Sequence, residues 1–205
     1  MSKAREIARH LLQIKAIKLS PQAPFTWASG IESPIYCDNR MILSFPKVRN
    51  DVKSALAASA GNFAAFDVVA GVATAGIAHG MLLADALEKP FIYVRDKAKG
   101  HGRQNRIEGA LPTGKRVLVV EDLISTGGSS LRAVEALREA DAEVIGCLAI
   151  FTYGFERAAK AFEEAEVPLR TLSNYEIMSE EALESGYITR ADLDTLRNFR
   201  ERVGA

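Results

Sequence analysis

Apolar residues along this chain fall into two alternating spacings, short continuous runs of strand length and longer stretches with a helical period. Residues 1–17 hold Ile7, Leu11 and Ile14 at helical spacing. Residues 24–40, PFTWASGIESPIYCDNR, read as a strand pair folded about Ser29-Gly30, and Pro46 opens a helix with Val48, Val52 and Leu56 on one face. From Phe66 the alternation is regular. Residues 66–72, 90–95, 116–122, 143–151 and 168–173 read as strands, and residues 76–88, 129–140 and 154–165 as helices. Nearly unbroken apolar strands separated by helices predict an α/β fold, a central mostly parallel sheet with helices on both faces. Such sheets bind ligands at the carboxyl ends of their strands. Ser179 before Glu180-Glu181, and Thr189 before Arg190-Ala191-Asp192, predict two helix starts in the tail.

One segment breaks the rhythm. Residues 95–109, RDKAKGHGRQNRIEG, have no hydrophobic period and hold five Lys/Arg, one His and three Gly. A loop of this length inside a compact α/β domain is usually functional or disordered, the bland alternative being a solvated charged loop. It leaves from the end of a predicted strand, and its charge is opposite to that of a pyrophosphate ester. Cations between glycine hinges predict a lid that closes over a polyanion.

Composition narrows the class. The 205 residues suit one domain. It divides into an N-terminal helix and hood hairpin (about 1–45), an α/β core carrying the lid loop (about 46–173) and a C-terminal helical tail (about 174–205). Lys plus Arg equals Asp plus Glu at 26 each, so no global field recruits nucleic acid or a membrane surface. No apolar run approaches the length of a transmembrane helix, and the charged N-terminus lacks a signal-peptide core. Two cysteines, Cys37 and Cys147, make no disulfide framework, and a reducing cytoplasm is the expected compartment. Cys147 lies in an apolar run and reads as a small buried hydrophobe.

The densest chemistry lies in RVLVVEDLISTGGSSL, Arg116 to Leu131. An apolar strand runs into Glu121 and Asp122, then through Leu123 and Ile124 into the hydroxyl-rich turn Ser125, Thr126, Gly127, Gly128, Ser129, Ser130 and a helix. Open backbone N–H groups and hydroxyls at a helix N-terminus cradle a phosphate. Adjacent carboxylates accept hydrogen bonds from vicinal sugar hydroxyls. A sugar phosphate fits both halves at once. Simple helix capping explains one hydroxyl and not four. No Lys follows the glycines, so this is not a Walker loop. A second strand-to-helix turn, at Thr74, Ala75 and Gly76, offers donors for another phosphate, although small residues there equally serve tight packing. His79 reads as a packing or surface histidine rather than a ligand, and His10 as unremarkable.

The Arg116–Leu131 pattern resembles the 5-phosphoribosyl 1-diphosphate (PRPP) signature of type I phosphoribosyltransferases. Arg95, Lys99, His101 and Gly102 match the R-x-x-x-K-x-H-G loop of orotate phosphoribosyltransferases, and FTWASGIESP matches their F-T-x-x-S-G-x-x-S-P hairpin. Together the likeness spans about residues 20–155. Three positions depart from it: Ala28 and Asp96 stand where some members are basic, and Tyr153 falls near an Arg that binds the orotate carboxylate. The resemblance implies the type I phosphoribosyltransferase fold with a small hood. It implies transfer of phosphoribose from PRPP to orotate, with orotidine 5'-monophosphate and pyrophosphate as products, in UMP biosynthesis. It implies Lys99, His101, Glu121 and Asp122 as catalytic residues. PRPP would be held by Arg95, Lys99, His101, the run Glu121–Ser129, Thr74 and Ala75, and orotate by Ser125, Tyr36 and Cys37. Mg²⁺ would arrive with PRPP, without a direct protein ligand. A homodimer, each lid acting on the neighbouring subunit's site, is implied in the same way. The other readings are a purine or uracil phosphoribosyltransferase and a non-catalytic PRPP-sensing regulator. A DNA-binding regulator normally adds a basic winged-helix segment, and none is seen.

Overall fold

The computed structural model describes residues 2–27, 29–96 and 106–204. Lys99 and His101, with most of the expected lid, and Ala28 lie outside the described residues.

The chain begins with α1 (Lys3–Gln13), capped by Ser2. Short strands follow: β1 (Ile17–Leu19), β2 (Phe25–Thr26), β3 (Glu32–Ser33) and β4 (Ile35–Cys37). β2 pairs with β3 about Gly30 (φ +82°), as the sequence predicts, and β4 returns to pair with β1. The β1 strand lies where the helical period was expected to continue. The helix ends at Gln13, because Lys15 (φ +58°) turns the chain out of it. A 3-10 turn (Asn39–Ser44) leads from the hood into α2 (Pro46–Ala60).

The core then follows the predicted alternation: β5 (Val68–Val72), α3 (Ala75–Ala86), β6 (Phe91–Val94), β7 (Ile107–Glu108), β8 (Arg116–Ile124), α4 (Gly128–Glu139), β9 (Glu143–Thr152), α5 (Glu156–Glu164) and β10 (Leu169–Asn174). The six-stranded sheet has the order β10-β9-β8-β5-β6-β7, parallel except for β7. From β5 the chain crosses through α3 to β6 on one side, and from β8 through α4 to β9 on the other. Right-handed crossovers therefore set α3 and α4 on opposite faces. The winding reverses between β5 and β8, and a crevice opens outside the carboxyl ends of strands at such a reversal. Val68–Val72 is buried throughout, which accounts for its unbroken apolar run.

Three expectations change. β8 continues to Ile124, two residues beyond the end expected at Asp122. Ile107 and Glu108, read as loop, form an edge strand on Val94 and Tyr93. The tail helix α6 (Tyr175–Glu184) does not start at Ser179 but five residues earlier at Asn174, whose side chain accepts from Ile177 N at 2.9 Å. Ser179 is inside the helix, its hydroxyl donating to the Tyr175 carbonyl at 2.7 Å, a back-bond that a mid-helix serine makes as readily as a cap. The second tail start is as expected. Thr189 and Asp192 bond each other's backbone N–H at the head of α7 (Arg190–Gly204).

The tail packs back on the hood and α1. Glu181 on α6 is fully buried and receives Arg9 at 2.6 Å, with Arg5 beside it. Trp27 of the hood stacks on Tyr153 (centroids 5.2 Å apart) and meets Phe199 of α7 edge-on at 5.8 Å. The Trp27 indole also donates to the Ile35 carbonyl at 3.0 Å, locking the hairpin onto the core.

Candidate active site

Most of the described candidate residues converge at the winding reversal. After β5, the Ala73–Thr74 peptide is cis and Thr74 leads into α3 without a side-chain cap. Gly76 explains the smallness of this turn. A Cβ there would stand 2.5 Å from the Val120 carbonyl oxygen and 3.3 Å from Glu121 Oε1, so α3 approaches β8 as closely as backbone allows. Tight packing is thus one reason for the small residues, and the first-turn N–H groups of α3 still open beside the acidic strand end.

The two acids have different surroundings. Asp122 is half-buried, whereas Glu121 is only 5 % exposed. Glu121 Oε1 accepts from Asp122 N at 2.9 Å and Oε2 from Ser130 Oγ at 3.2 Å. Burial first, then the adjacent Asp122 charge, holds the Glu121 carboxyl well above the usual carboxylate range. Of the two acids, Asp122 is the more exposed.

Beyond them the turn needs Gly127. Its φ is +81°, and a Cβ would meet the Phe162 ring at 2.7 Å. As N-cap of α4 it supplies no side chain, and no hydroxyl of the motif caps the helix. The N–H groups of Gly128, Ser129 and Ser130 precede the first intrahelical bond, Leu131 N to the Gly127 carbonyl, and stay available. Capping therefore does not account for this hydroxyl-rich turn. Leu123 packs against the core and Ile124 is fully buried, so their side chains shape the turn from below.

Arg95 sits at the end of β6. Its backbone N donates to the Arg106 carbonyl at 2.8 Å, and its guanidinium lies 3.4 Å from Glu108. Asp96 is paired with Arg132 of α4 at 2.8 Å, and Arg106 donates to the Arg132 carbonyl at 2.9 Å. Both roots of the loop are thereby tied to α4. A small crevice lined by Ala73, Arg95, Asp96, Ser129 and Arg132 joins these pieces. Larger grooves, between α6 and α7 and beside α1, hold none of the candidate residues.

The hood candidates border the same place. Tyr36 is 41 % exposed, its ring 5.8 Å from Phe25. Cys37 is half-buried, and its thiol is pushed well up by burial, then by Asp122 and Asp38. The thiol lies 3.5 Å from Asn39 Oδ1, and Asn39 Nδ2 donates to the Asp122 carbonyl at 2.7 Å. The sequence reading passed over Asn39. An amide directly after a predicted strand pair is a common turn residue, and its partner lies in another element. Tyr153 is buried in the aromatic stack. Burial raises its phenol pKa, and Cys37, Tyr175, Asp122 and Tyr36 act in the same direction.

Comparison with known proteins agrees with this geometry. Residues 38–185 match the phosphoribosyl transferase domain family. The chain is 54% identical over 202 residues to an orotate phosphoribosyltransferase of Listeria innocua, covering 98% of this chain and 97% of that one. Among solved structures it resembles orotate phosphoribosyltransferase from Aeropyrum pernix (TM-score 0.78, 30% identity, 89% of this chain and 99% of that chain). It also resembles Leishmania donovani UMP synthase (TM-score 0.84, 26% identity), covering 98% of this chain but 43% of that longer one. With a parallel sheet wound about an acidic, glycine-turned strand end and relatives this similar over nearly its whole length, the chain belongs to the orotate phosphoribosyltransferase family of type I phosphoribosyltransferases.

Proposed function

We propose that this chain transfers the phosphoribosyl group of PRPP to orotate, forming orotidine 5'-monophosphate and pyrophosphate in pyrimidine biosynthesis. The observation that carries the reading is the pairing of Asp122 with the uncapped start of α4, a hydroxyl acceptor beside a phosphate cradle at the winding reversal.

Displacement at the anomeric carbon passes through a cationic, oxocarbenium-like state as pyrophosphate leaves. Such a reaction needs placed charge rather than a protein nucleophile. Asp122 accepts the ribose hydroxyls and sets negative charge near the developing cation. Glu121 acts on the same place through the strand end that it shapes, and a direct contact with ribose requires its bond from Ser130 to break. Backbone donors and hydroxyls from Ser125 to Ser129 hold the 5'-phosphate, and the Thr74–Ala75 turn and Arg95 face the pyrophosphate. Lys99 and His101 supply lid cations, and closure excludes the water that hydrolyses PRPP. Ser125 and the groups around Tyr36 and Cys37 receive orotate.

A divalent cation suits this donor set. Mg²⁺ would be carried in on the phosphates of PRPP without a direct protein ligand, leaving Asp122 to the ribose hydroxyls. The charge that builds on the leaving pyrophosphate would be partly neutralised by the divalent cation bound with PRPP. The functional unit we propose is a homodimer, each lid serving its neighbour's site, in a reducing cytoplasm consistent with the free thiols of Cys37 and Cys147. No helix among the described residues is long and apolar enough to cross a membrane.

The test is a spectrophotometric assay with a panel of free bases. Orotate absorbance falls only when PRPP and Mg²⁺ are both present. Equal or faster turnover of uracil, hypoxanthine or adenine would move the chain to another phosphoribosyltransferase specificity. PRPP binding without turnover of any base would make it a sensor.

A further inference from the structure

His79 on α3 is fully buried, and neither ring nitrogen has a hydrogen-bond partner among the described residues. Burial pushes the imidazole below its ordinary pKa, opposed by the Asp122 charge and by the main chain of Asn39, so the ring is neutral at pH 7. A neutral imidazole carries one donor and one acceptor, and each left dry and unpaired opposes folding. A leucine of similar bulk would fill the space without that penalty. Packing alone therefore gives no reason for histidine at this position.

The surroundings supply one. Gly76, one turn earlier on α3, abuts the Val120 carbonyl and Glu121, so this part of the helix lies along the acidic strand end. α3, the Asn39–Ser44 turn and β8 all meet one another here. Among the described residues, the main chain of Asn39 acts to raise the ring's pKa but makes no hydrogen bond to it. The side chain of that same Asn39 holds the Asp122 carbonyl at 2.7 Å.

We propose that His79 is a positioning residue for Asp122: its ring N–H donates to the main-chain carbonyl of Asn39 when the site is filled, fixing the Asn39 amide beneath Asp122 and so the carboxylate above it. This rests on Asp122 as the ribose anchor. It makes His79 the link between the α3 turn, the hood exit and the acidic strand, none of which adjoins another in sequence.

The experiment compares His79→Leu, His79→Asn and His79→Gln with wild type, with Asp122→Asn as control, in melting temperature and steady-state kinetics. His79→Leu is expected to hold or raise the melting temperature, to lower kcat about tenfold and to raise the KM for PRPP, leaving the KM for orotate within twofold. Either amide variant, which restores a donor and an acceptor, should recover part of the loss. Wild-type kcat and PRPP KM in a folded His79→Leu protein overturn the proposal. If that variant does not fold, ¹⁵N spectra of the wild-type imidazoles decide. There are three histidines in the chain, so the His79 signal is assignable by substituting the other two. Adding PRPP should convert it to a single tautomer with a slowly exchanging N–H, and unchanged shifts overturn the proposal. An active Asp122→Asn enzyme sinks the ribose-anchor reading itself. An inactive one beside an unimpaired His79→Leu sinks only the role of His79.

Discussion

Asn39 and Asp122 stand 83 positions apart in the chain, yet Asn39 Nδ2 donates to the Asp122 main-chain carbonyl at 2.7 Å. This bond fastens the exit of the hood to the strand that carries the acids. Asn39 is fully buried, so the bond is sheltered from competing water.

Replacing Asn39 by Ala leaves the Asp122 carbonyl short of its partner in a part-buried place. An unsatisfied buried group costs about 1–3 kcal/mol, to be read as a lower midpoint in urea unfolding. Turnover should fall alongside it. Full activity with reduced stability would confine this bond to holding the fold.

Asp122→Asn is expected to act in the opposite proportion. A half-buried carboxylate at a strand end supports little core, but its charge complements the transition state, an effect on the order of 2–4 kcal/mol for comparable contacts. Turnover should drop about 30- to 1,000-fold by that measure, with the melting temperature nearly unchanged. A large fall in melting temperature with normal kinetics would make Asp122 structural.

Glu121→Gln should stabilise the protein at neutral pH. The folded-state pKa of Glu121 is raised above the ordinary value of 4.5, so the folded form keeps its proton while the unfolded form gives it up. Wild type therefore loses stability as pH climbs from 4.5 through that higher folded value, and the amide variant does not. The Gln oxygen still accepts from Asp122 N, and its NH₂ can donate to Ser130 Oγ. The melting-temperature gap should be near zero below pH 4.5 and widen toward pH 7. A gap that is constant across this range would show that Glu121 does not titrate as its burial requires.

Gly76→Ala should damage both stability and PRPP binding. The added methyl would sit 2.5 Å from a backbone oxygen, which cannot swing aside as a side chain does. Overpacking of this kind costs roughly 1–3 kcal/mol, and α3 must shift away from β8 to relieve it. Gly61→Ala is the control, since its Cβ would make an ordinary contact at 3.4 Å. Equal melting temperatures for the two variants would contradict the close approach.

Lys99→Ala and Asp122→Asn homodimers should each be nearly inactive. If the lid acts across a dimer, free reassortment of an equal mixture makes half the dimers mixed, each with one intact composite site. Activity should return to about a quarter of wild type, because a two-fold dimer has two equivalent sites. Confirmed subunit exchange without recovery would place the lid over its own subunit.

Much of this was legible in the chain. The strand-helix alternation after Phe66 reads directly because a doubly covered parallel strand must be apolar on both faces, and Val68–Val72 is buried throughout. The Glu121–Ser130 motif reads for a similar reason, since strand, turn and helix N-terminus are consecutive and their chemistry is local. Short hood strands such as Ile17–Leu19 were missed because three residues carry too little periodicity to distinguish a strand from the frayed end of a helix. The true start of α6 was missed because Asn174 and Ser179 offer the same capping chemistry, and only the course of β10 up to Asn174 selects between them.

What the sequence by itself determined is therefore whatever depends on neighbours along the chain: the α/β alternation, the phosphate turn, the acids and the likeness to a family. Tertiary structure alone decided what depends on approach between distant segments. It divided the two acids, burying Glu121 under Ser130 while leaving Asp122 half-exposed. It also brought Asn39 beneath Asp122 and buried His79 beside them. The physical reason is that burial, and with it the pKa and the worth of a hydrogen bond, is set by every segment packed around a group. A linear pattern names the groups, and only packing sets their surroundings.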